Sequence, residues 1–397
     1  MKIAVFSDNF YPELSGISDS IATTATELGK RGHTVKFFVP KYSKKNFRIA
    51  NFPLREIHLG GNVHIHRIRS LPFPGPTRQS RAVSPVGVTT LAVKKFNPDI
   101  IHTHLFFGVG IKALTAAKVL GIPLVGTSHT PITEFVRYSP IRSKWFMSLS
   151  ARYVSWYYNR CDFVSAPSQA IFKEMNMTGF RKPCQVISNP IDISAFTPVS
   201  DERRKKLKEH FQLSDRVALY TGRLAPEKNI DVIIRAITLV KKTVPEVNFA
   251  VTGHGSARES LEKLVKELHL EKQVKFLGTL HRKEFIKIYQ AADIFAIAST
   301  AETQSISLMQ AMAVGLPVVG VRWLALGEYI TEKNGFLVKV GDHKTLAKKI
   351  IFLLRHPEKR KALGRGGIKT VKNFSIPKVA DQWEEVYKKV ISMKKNS

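Results

Sequence analysis

Lys2-Ile3-Ala4-Val5-Phe6-Ser7, the loop from Asp8 to Gly16, a helical pattern from about Ser18 to Arg31 closed by Gly32, and Thr34-Val35-Lys36-Phe37-Phe38-Val39 decide the fold. Both runs hold consecutive apolar residues, Ile3 to Phe6 and Phe37 to Val39, instead of alternating, as in strands buried on both faces. Between them the apolar residues recur at helical spacing, and Gly32 supplies the left-handed stop. Strand, helix and strand in this order make a βαβ unit, which needs a parallel sheet with helices on both sides.

The pattern repeats at Asp99-Ile100-Ile101, at Leu124-Val125-Gly126 and at Phe163-Val164-Ser165-Ala166. Ile187-Ser188-Asn189-Pro190-Ile191-Asp192, continuing to Thr197-Pro198, breaks the composition and reads as a linker. A second series of strands follows at Arg216 to Thr221, Val247 to Thr252, Val274 to Leu277, Ile294 to Ala298 and Pro317 to Val321. A helix is expected over Ala257 to Leu268. The expectation is an α/β chain of two doubly wound Rossmann-like domains facing across a cleft. They cover 1–190, with a C-terminal helix at 376–397 crossing back to the first, and 191–375.

The chain's 397 residues suit two such domains. Hydrophobic residues at 44% and charged residues at 23% are ordinary for a globular protein. Cys161 and Cys184 are the two cysteines, too few for a disulfide framework, so a reducing cytosol is expected. The apolar run at the start ends too soon for a signal peptide, and Gln310, Gly315, Pro317 and Arg322 interrupt the apolar stretch from Leu308 to Leu326. Lys and Arg number 62 against 31 Asp and Glu, a net charge of +31 spread over both halves. This favours an anionic partner: nucleic acid, an anionic membrane surface or a phosphorylated substrate. Solubility or a compositional preference for Lys accounts for the same excess.

Ligands of open parallel sheets bind outside the carboxyl ends of the strands, where three loops stand out. In Asp8 to Gly16, Ser15-Gly16 at a helix entry lets backbone amides approach a phosphate, though a plain tight turn fits equally. The G-x-G-x-x-G fingerprint is absent, against a nicotinamide enzyme. In Tyr220 to Asn229, Arg223 and Lys228 are two cations at a strand-to-helix loop, able to grip a diphosphate and stabilise its charge as it leaves. In Ala301 to Gln310 the helix is expected to start near Ser305. Eight residues of helix rise roughly 12 Å, enough to touch a sugar at Glu302, a diphosphate in the middle and a ribose at Gln310, although the loop taken alone reads better as a capped surface helix. A carboxylate suits sugar hydroxyls because it accepts two hydrogen bonds.

In combination these residues resemble the retaining glycosyltransferases of the GT-B fold, family 4. Pro12 and Ser15-Gly16 carry the resemblance, with Ile100 to His104, Gly126 to Thr130, Ser188 to Asp192 and Gly222 to Lys228. It continues through Gly253-His254-Gly255, Ala292-Asp293, Glu302 to Gln310 and Gly315 to Val319. The resemblance implies that Gly16 approaches the donor diphosphate and that His129 faces the sugar. It further implies that Arg223 and Lys228 hold the diphosphate, that Glu302 binds the sugar, and that the backbone at Ser305 and Ile306 lies near the phosphates. No cofactor is implied, and no metal, since the cations replace it. One position departs: the family motif is Glu, seven residues, Glu, and the second place here is Gln310. The usual carboxylate accepts from the ribose, so the nucleotide is put in question.

Two histidine pairs, His64 with His66 and His102 with His104, would each share one face of a strand. No third ligand is spaced nearby, and a strand end near the cleft accounts for them without a metal. In the segment from Val136 to Arg160, Arg137, Arg142, Lys144, Arg152 and Arg160 interleave with Trp145, Phe146, Tyr153, Trp156, Tyr157 and Tyr158. Phe146, Leu149, Tyr153 and Trp156 form a stripe at helical spacing that reads as packing into the first domain. The other aromatics and the global charge favour an anionic membrane surface, with Arg142, Lys144, Trp145, Arg152 and Trp156 as the associating residues.

Within family 4, Thr103-His104-Leu105 and Ser128-His129-Thr130-Pro131 with Glu134 look most like the bacterial 1,2-diacylglycerol 3-glucosyltransferases, or monoglucosyldiacylglycerol synthases. That implies a UDP-sugar donor, UDP-glucose first, a diacylglycerol-type lipid acceptor, and a cytoplasmic enzyme peripherally associated with the inner face of the cell membrane. A phosphatidylinositol mannosyltransferase or a polysaccharide or cell-wall glycosyltransferase would share every donor residue. A nucleotide-sugar epimerase or hydrolase is a further alternative. A nucleic-acid-binding protein is suggested by charge alone, and no recognition motif supports it.

Overall fold

The computed structural model describes the whole chain except residues 14, 51, 74–80, 85–87, 130–143 and 397, and describes the backbone alone at Lys144 and Arg282. It divides into two compact units, Met1–Pro190 with Ile376–Ser397, and Ile191–Ser375.

The first unit contributes β1 (Lys2–Phe6), β2 (Thr34–Pro40) and β3 (Val63–Ile68), then a short antiparallel pair, β4 (Leu71–Pro72) and β5 (Arg81–Ala82). It continues with β6 (Ile100–Thr103), β7 (Leu124–Thr127), β8 (Phe163–Ala166) and β9 (Cys184–Val186). Seven of these form one sheet in the order β3-β2-β1-β6-β7-β8-β9, with every neighbouring pair parallel. Both faces are covered, which is why β1 carries no polar alternation. Ile3 and Val5 belong to the apolar cluster on one side, Ala4 and Phe6 to that on the other.

The helix Ile376–Lys395 completes the first of these clusters with Val379, Trp383, Val386, Tyr387 and Val390. It lies beside the helix Gly16–Lys30, fastened by Arg31 to Asp381 at 2.6 Å and by His33 to Glu384 at 2.7 Å. That earlier helix starts two residues before its sequence expectation because Ser15 caps it, its Oγ accepting from the Ser18 N–H.

The second unit contributes β10 (Arg216–Thr221), β11 (Val247–Thr252), β12 (Val274–Gly278), β13 (Ile294–Ile297), β14 (Val318–Val321) and β15 (Gly335–Val338). Their order is β12-β11-β10-β13-β14-β15, all parallel. β10, β11, β13 and β14 are the central strands, predominantly apolar in sequence and buried except for Arg216 at the start of β10, and they stand close to their sequence expectations. In both units the chain winds outward in one direction from a central strand and then in the other. This creates a switch point beside β1 and β6, and another beside β10 and β13. Loops leaving adjacent strands at such a point part to opposite faces and leave a crevice at the carboxyl ends.

Candidate functional site

At the second unit's switch point, β10 runs out at Thr221 and the chain turns through Gly222 at φ +145°. The turn leans on the loop after β11. Leu224 N–H donates to the His254 carbonyl at 3.0 Å, and Ala257 N–H to the Leu224 carbonyl at 2.9 Å. The backbones approach so closely that a Cβ on Gly253 would stand 1.8 Å from the Gly222 oxygen, and one on Gly255 would stand 2.1 Å from the Leu224 oxygen. Both glycines of Gly253-His254-Gly255 are therefore explained by space. Pro226–Lys228 then make a single 3-10 turn before the helix Ile230–Lys241.

This turn aims the two cations. Arg223 Nη2 pairs with Glu227 Oε1 at 2.7 Å; Glu227 is almost fully buried, while the guanidinium remains partly open to solvent. Lys228 Nζ pairs with Glu302 Oε1 at 2.7 Å and reaches the Ala301 carbonyl at 3.4 Å. Glu302 arrives on the loop after β13, adjacent to β10 in the sheet. Sheet order thus brings together residues 74 positions apart in sequence. Asn229 stitches the two loops, its Nδ2 donating to the Ala298 carbonyl at 3.0 Å.

The helix Ile306–Ala313 follows, capped by Ser305, whose Oγ accepts from the Leu308 N–H at 3.4 Å. Ser305 is buried and Ile306 opens the helix, so the first-turn amides are the anion-attracting end of the segment. Gln310 lies one turn on. Its Oε1 accepts from the Tyr289 hydroxyl at 3.0 Å, and Tyr289 is itself hydrogen-bonded to the Thr221 hydroxyl. With the amide assigned by this network, Gln310 keeps its NH2, a donor, where a glutamate would offer an acceptor.

In the first unit the loop after β1 is closed on itself. Ser15 and Ser18 hydroxyls both bond Asn9 Oδ1, and Gly16 opens the helix there. Asp8 receives the N–H groups of Val109 at 2.8 Å and Gly110 at 3.2 Å, at the start of the helix Gly108–Leu120. Burial outweighs these bonds and raises its pKa to about 6. His129 stands beyond β7, buried, its Nε2 3.0 Å from His104 Nδ1. His102 bonds the Tyr387 hydroxyl and Thr127 Oγ1, each at 2.7 Å.

Burial pushes all three imidazoles down, His129 to about 4 and the other two well below the usual histidine value. The cluster is neutral at pH 7, so at the His104–His129 contact one ring nitrogen donates its N–H and the other accepts. Among the described residues no group of three His, Cys, Asp or Glu is arranged to hold a metal ion.

The helix Lys144–Tyr158 corrects one expectation. Its inward face is Ser150, Val154, Tyr157 and Tyr158, all buried, with Cys161 continuing the row. Three of the four residues of the stripe expected to pack inward face out instead, Leu149 at 55% exposed, Trp156 at 41% and Tyr153 at 36%, with Trp145 beside them at 64%; Phe146 is half-buried. Two apolar rows at helical spacing run side by side, and the fold buries the one ending at Cys161. Arg152 is exposed on this helix, and the Arg160 guanidinium lies 4.0 Å from the Trp156 ring centre. Arg137 and Arg142 lie outside the described residues, as do Thr130, Pro131, Glu134 and the Lys144 side chain. Among the described residues, no helix is long and apolar enough to cross a membrane.

Three contributors went unnoticed in the sequence. Glu227 orients Arg223, Tyr289 fixes Gln310, and Asn229 ties the two loops together. Glu227 and Asn229 flank Lys228 and were within reach of a local reading; Tyr289, on a different helix, gave no local signal.

Comparison with known proteins places the two halves in matching families. Residues 14–195 match the profile Glycosyltransferase Family 4, and residues 201–370 match Glycosyl transferases group 1. The chain is 27% identical over 362 residues to the alpha-monoglucosyldiacylglycerol synthase of Streptococcus pneumoniae, covering 90% of this chain and 79% of that one. It is 26% identical to the enzyme of the same name from Acholeplasma laidlawii, covering 98% and 96%. The crystal structure of Anabaena HepE in complex with UDP shares the fold with a TM-score of 0.77 at 21% identity, over 98% of this chain and 100% of that one.

Proposed function

Since the chain belongs to the family 4 glycosyltransferases of the GT-B fold and is a hexosyltransferase, we propose that it moves glucose from UDP-glucose to a diacylglycerol-type lipid at an anionic membrane surface, with retained configuration. The observation that carries the donor half is the switch-point cluster of the second unit. There Arg223 and the Lys228–Glu302 pair stand beside the capped start of the helix Ile306–Ala313.

An ammonium has three N–H donors. Lys228 directs two of them to Glu302 and the Ala301 carbonyl, leaving one for a phosphate oxygen. Arg223, pre-oriented by Glu227, supplies a planar fork to the same diphosphate. Fixed positive charge beside the leaving group lowers the barrier without reorganisation, in the role a metal ion plays elsewhere. Glu302 engages Lys228 through Oε1, and its second oxygen has no hydrogen bond among the described residues, so it serves the sugar hydroxyls. The departing phosphate accepts the proton of the attacking hydroxyl.

Acceptor binding is assigned to the first unit, with Gly16 offered to the donor phosphates and neutral His129 to the sugar. The relatives named monoglucosyldiacylglycerol synthases and the exposed aromatic face of Lys144–Tyr158 support the lipid acceptor, and the UDP-bound fold relative supports the nucleotide. The test is transfer of labelled glucose from UDP-glucose into vesicles of diacylglycerol and phosphatidylglycerol. Label extracted into organic solvent is expected. Label that stays in the aqueous phase, while another acceptor class takes it up, overturns the lipid reading.

A further inference from the structure

The second unit's sheet has two ends, and the donor loops occupy only one. At the amino end, where β10, β13 and β14 begin, an open recess of about 560 Å³ is lined by Arg204, Arg216 and Arg360. β10 runs from Arg216 to Thr221, so the two ends lie roughly 17 Å apart along the strand. The recess is therefore distinct from the switch-point cluster.

Its charges do not cancel. Six cations line it against four carboxylates, a net of two positive charges. Lys208 and Asp293 are both buried and closed on each other at 2.7 Å. Asp201, largely exposed, is 3.8 Å from Arg204 and 3.6 Å from Lys361. Asp215 and Glu246 also line the recess, and neither forms an ion pair among the described residues. The same holds for Arg216 and Arg360, both half-buried.

Arg360 is held in place by the Leu353 and Leu354 carbonyls at 3.0 and 2.9 Å, in the last turn of the preceding helix, His343–Arg355. Burial pulls its guanidinium below the usual value, and the neighbouring charges of Arg216 and Arg204 pull in the same direction against Asp293 and Asp201. Like charges gathered in a partly desolvated recess cost free energy that a bound anion would recover. Two helices, Asp201–His210 and Pro357–Val371, also begin at its rim.

We propose that this recess binds an organic phosphate, its phosphoryl group held by Arg204, Arg216 and Arg360. Guanidinium forks match phosphate oxygens in geometry, and a dianion matches the net charge. The volume exceeds that of a bare phosphate and falls in the range of small-molecule sites. Leu316, Pro317 and Pro357 supply an apolar wall for the organic part. The assignment is independent of the donor reading.

The experiment is calorimetric titration of phenyl phosphate and of inorganic phosphate into the full chain. Every protein in the series carries Arg223→Ala and Lys228→Ala, to remove the donor loop's cations. Phenyl phosphate is expected to bind more tightly than inorganic phosphate, and Arg216→Gln with Arg360→Gln is expected to weaken it at least tenfold. Since Arg360 also caps a helix, Arg204→Gln with Arg216→Gln gives a second pair that spares those carbonyls, and a similar loss is expected at an unchanged thermal midpoint. Absence of binding, or binding indifferent to both pairs, overturns the proposal. Sedimentation with phosphatidic acid vesicles separates a lipid headgroup from a soluble phosphate. Loss of vesicle binding in these variants with phenyl phosphate binding intact also overturns it.

Discussion

Lys228 Nζ and Glu302 Oε1 stand 2.7 Å apart, each side chain 13% exposed. Removing one partner leaves the other charge sheltered and alone. Lys228→Ala is therefore expected to lower stability by about 1–3 kcal/mol and transfer by about 100-fold to 1000-fold. The double variant Lys228→Ala/Glu302→Ala separates these effects. Its thermal midpoint should recover toward that of the parent while turnover stays lost. Turnover near the parent level in either single variant would sink the donor-site assignment.

Arg223 is held by the carboxylate of the almost fully buried Glu227. Glu227→Gln keeps the shape and removes the charge, so the guanidinium loses its ionic anchor while the 3-10 turn persists. A roughly tenfold fall in kcat is expected, with a smaller change in stability. Arg223→Lys should fare no better than Arg223→Ala, because a point charge cannot reproduce the fork between Glu227 and a phosphate. Steady-state kinetics on the three variants decide the matter, and full activity in Glu227→Gln would remove its orienting role.

How much of this was legible in the sequence follows from the range of each interaction. β10, β11 and β13 are central strands whose apolar runs state their own limits, and the two-domain α/β class follows from their number. β9 and β15 were not anticipated: three or four residues at a sheet edge carry little period. Whether the row ending at Trp156 or the row ending at Cys161 faced inward could not be read from the helix itself, since both have helical spacing. The Lys228–Glu302 contact depends on β10 lying next to β13, a fact of topology that no local pattern contains. Tyr289 behind Gln310 is of the same kind.

Gln310 offers a donor where relatives of this motif offer an acceptor. Gln310→Glu restores the carboxylate; one oxygen stays with Tyr289 and the other becomes available to a ribose hydroxyl. The expected outcome is tighter UDP binding by severalfold, with kcat within about threefold of the parent. Tyr289→Phe frees the amide oxygen and should shift affinity in the same direction, though less. Calorimetry with UDP and GDP on both variants checks this. Unchanged affinity for both nucleotides would show that Gln310 does not contact the nucleotide.

The outward aromatic row of Lys144–Tyr158 makes a prediction about surfaces. Burying an exposed Trp or Leu side chain in a membrane interface contributes about 1.5–3 kcal/mol. Trp145→Ser with Leu149→Ser and Trp156→Ser should therefore weaken sedimentation with phosphatidylglycerol vesicles by more than tenfold. Because these side chains are already exposed, the thermal midpoint should move little. Vesicle binding that survives the triple change would assign membrane contact elsewhere.

The buried histidines and Asp8 set opposing pH dependences in the first unit. The folded-state pKa values of His102, His104 and His129 lie below their ordinary value of 6.5. The stability they give is complete above about pH 6.5 and lost as pH falls through about 4 for His129. Asp8 has its pKa raised from 3.8 to about 6, so its contribution is complete below about 3.8 and lost as pH rises through 6. Near pH 5 unfolding takes up protons at the histidines and releases one at Asp8; His129 alone offsets Asp8, and His102 and His104, lowered in the same direction, make the net an uptake, so stability rises with pH. His66, half-buried and lowered for the same reason, adds in the histidines' direction. Urea unfolding from pH 4.5 to 6, followed by tryptophan fluorescence, reads the slope, since the Trp383 ring lies 4.4 Å from that of His102. Asp8→Asn should steepen it and His129→Gln should flatten it, each by about one proton. Stability that stays level across this range would mean that the imidazoles already titrate in the folded chain.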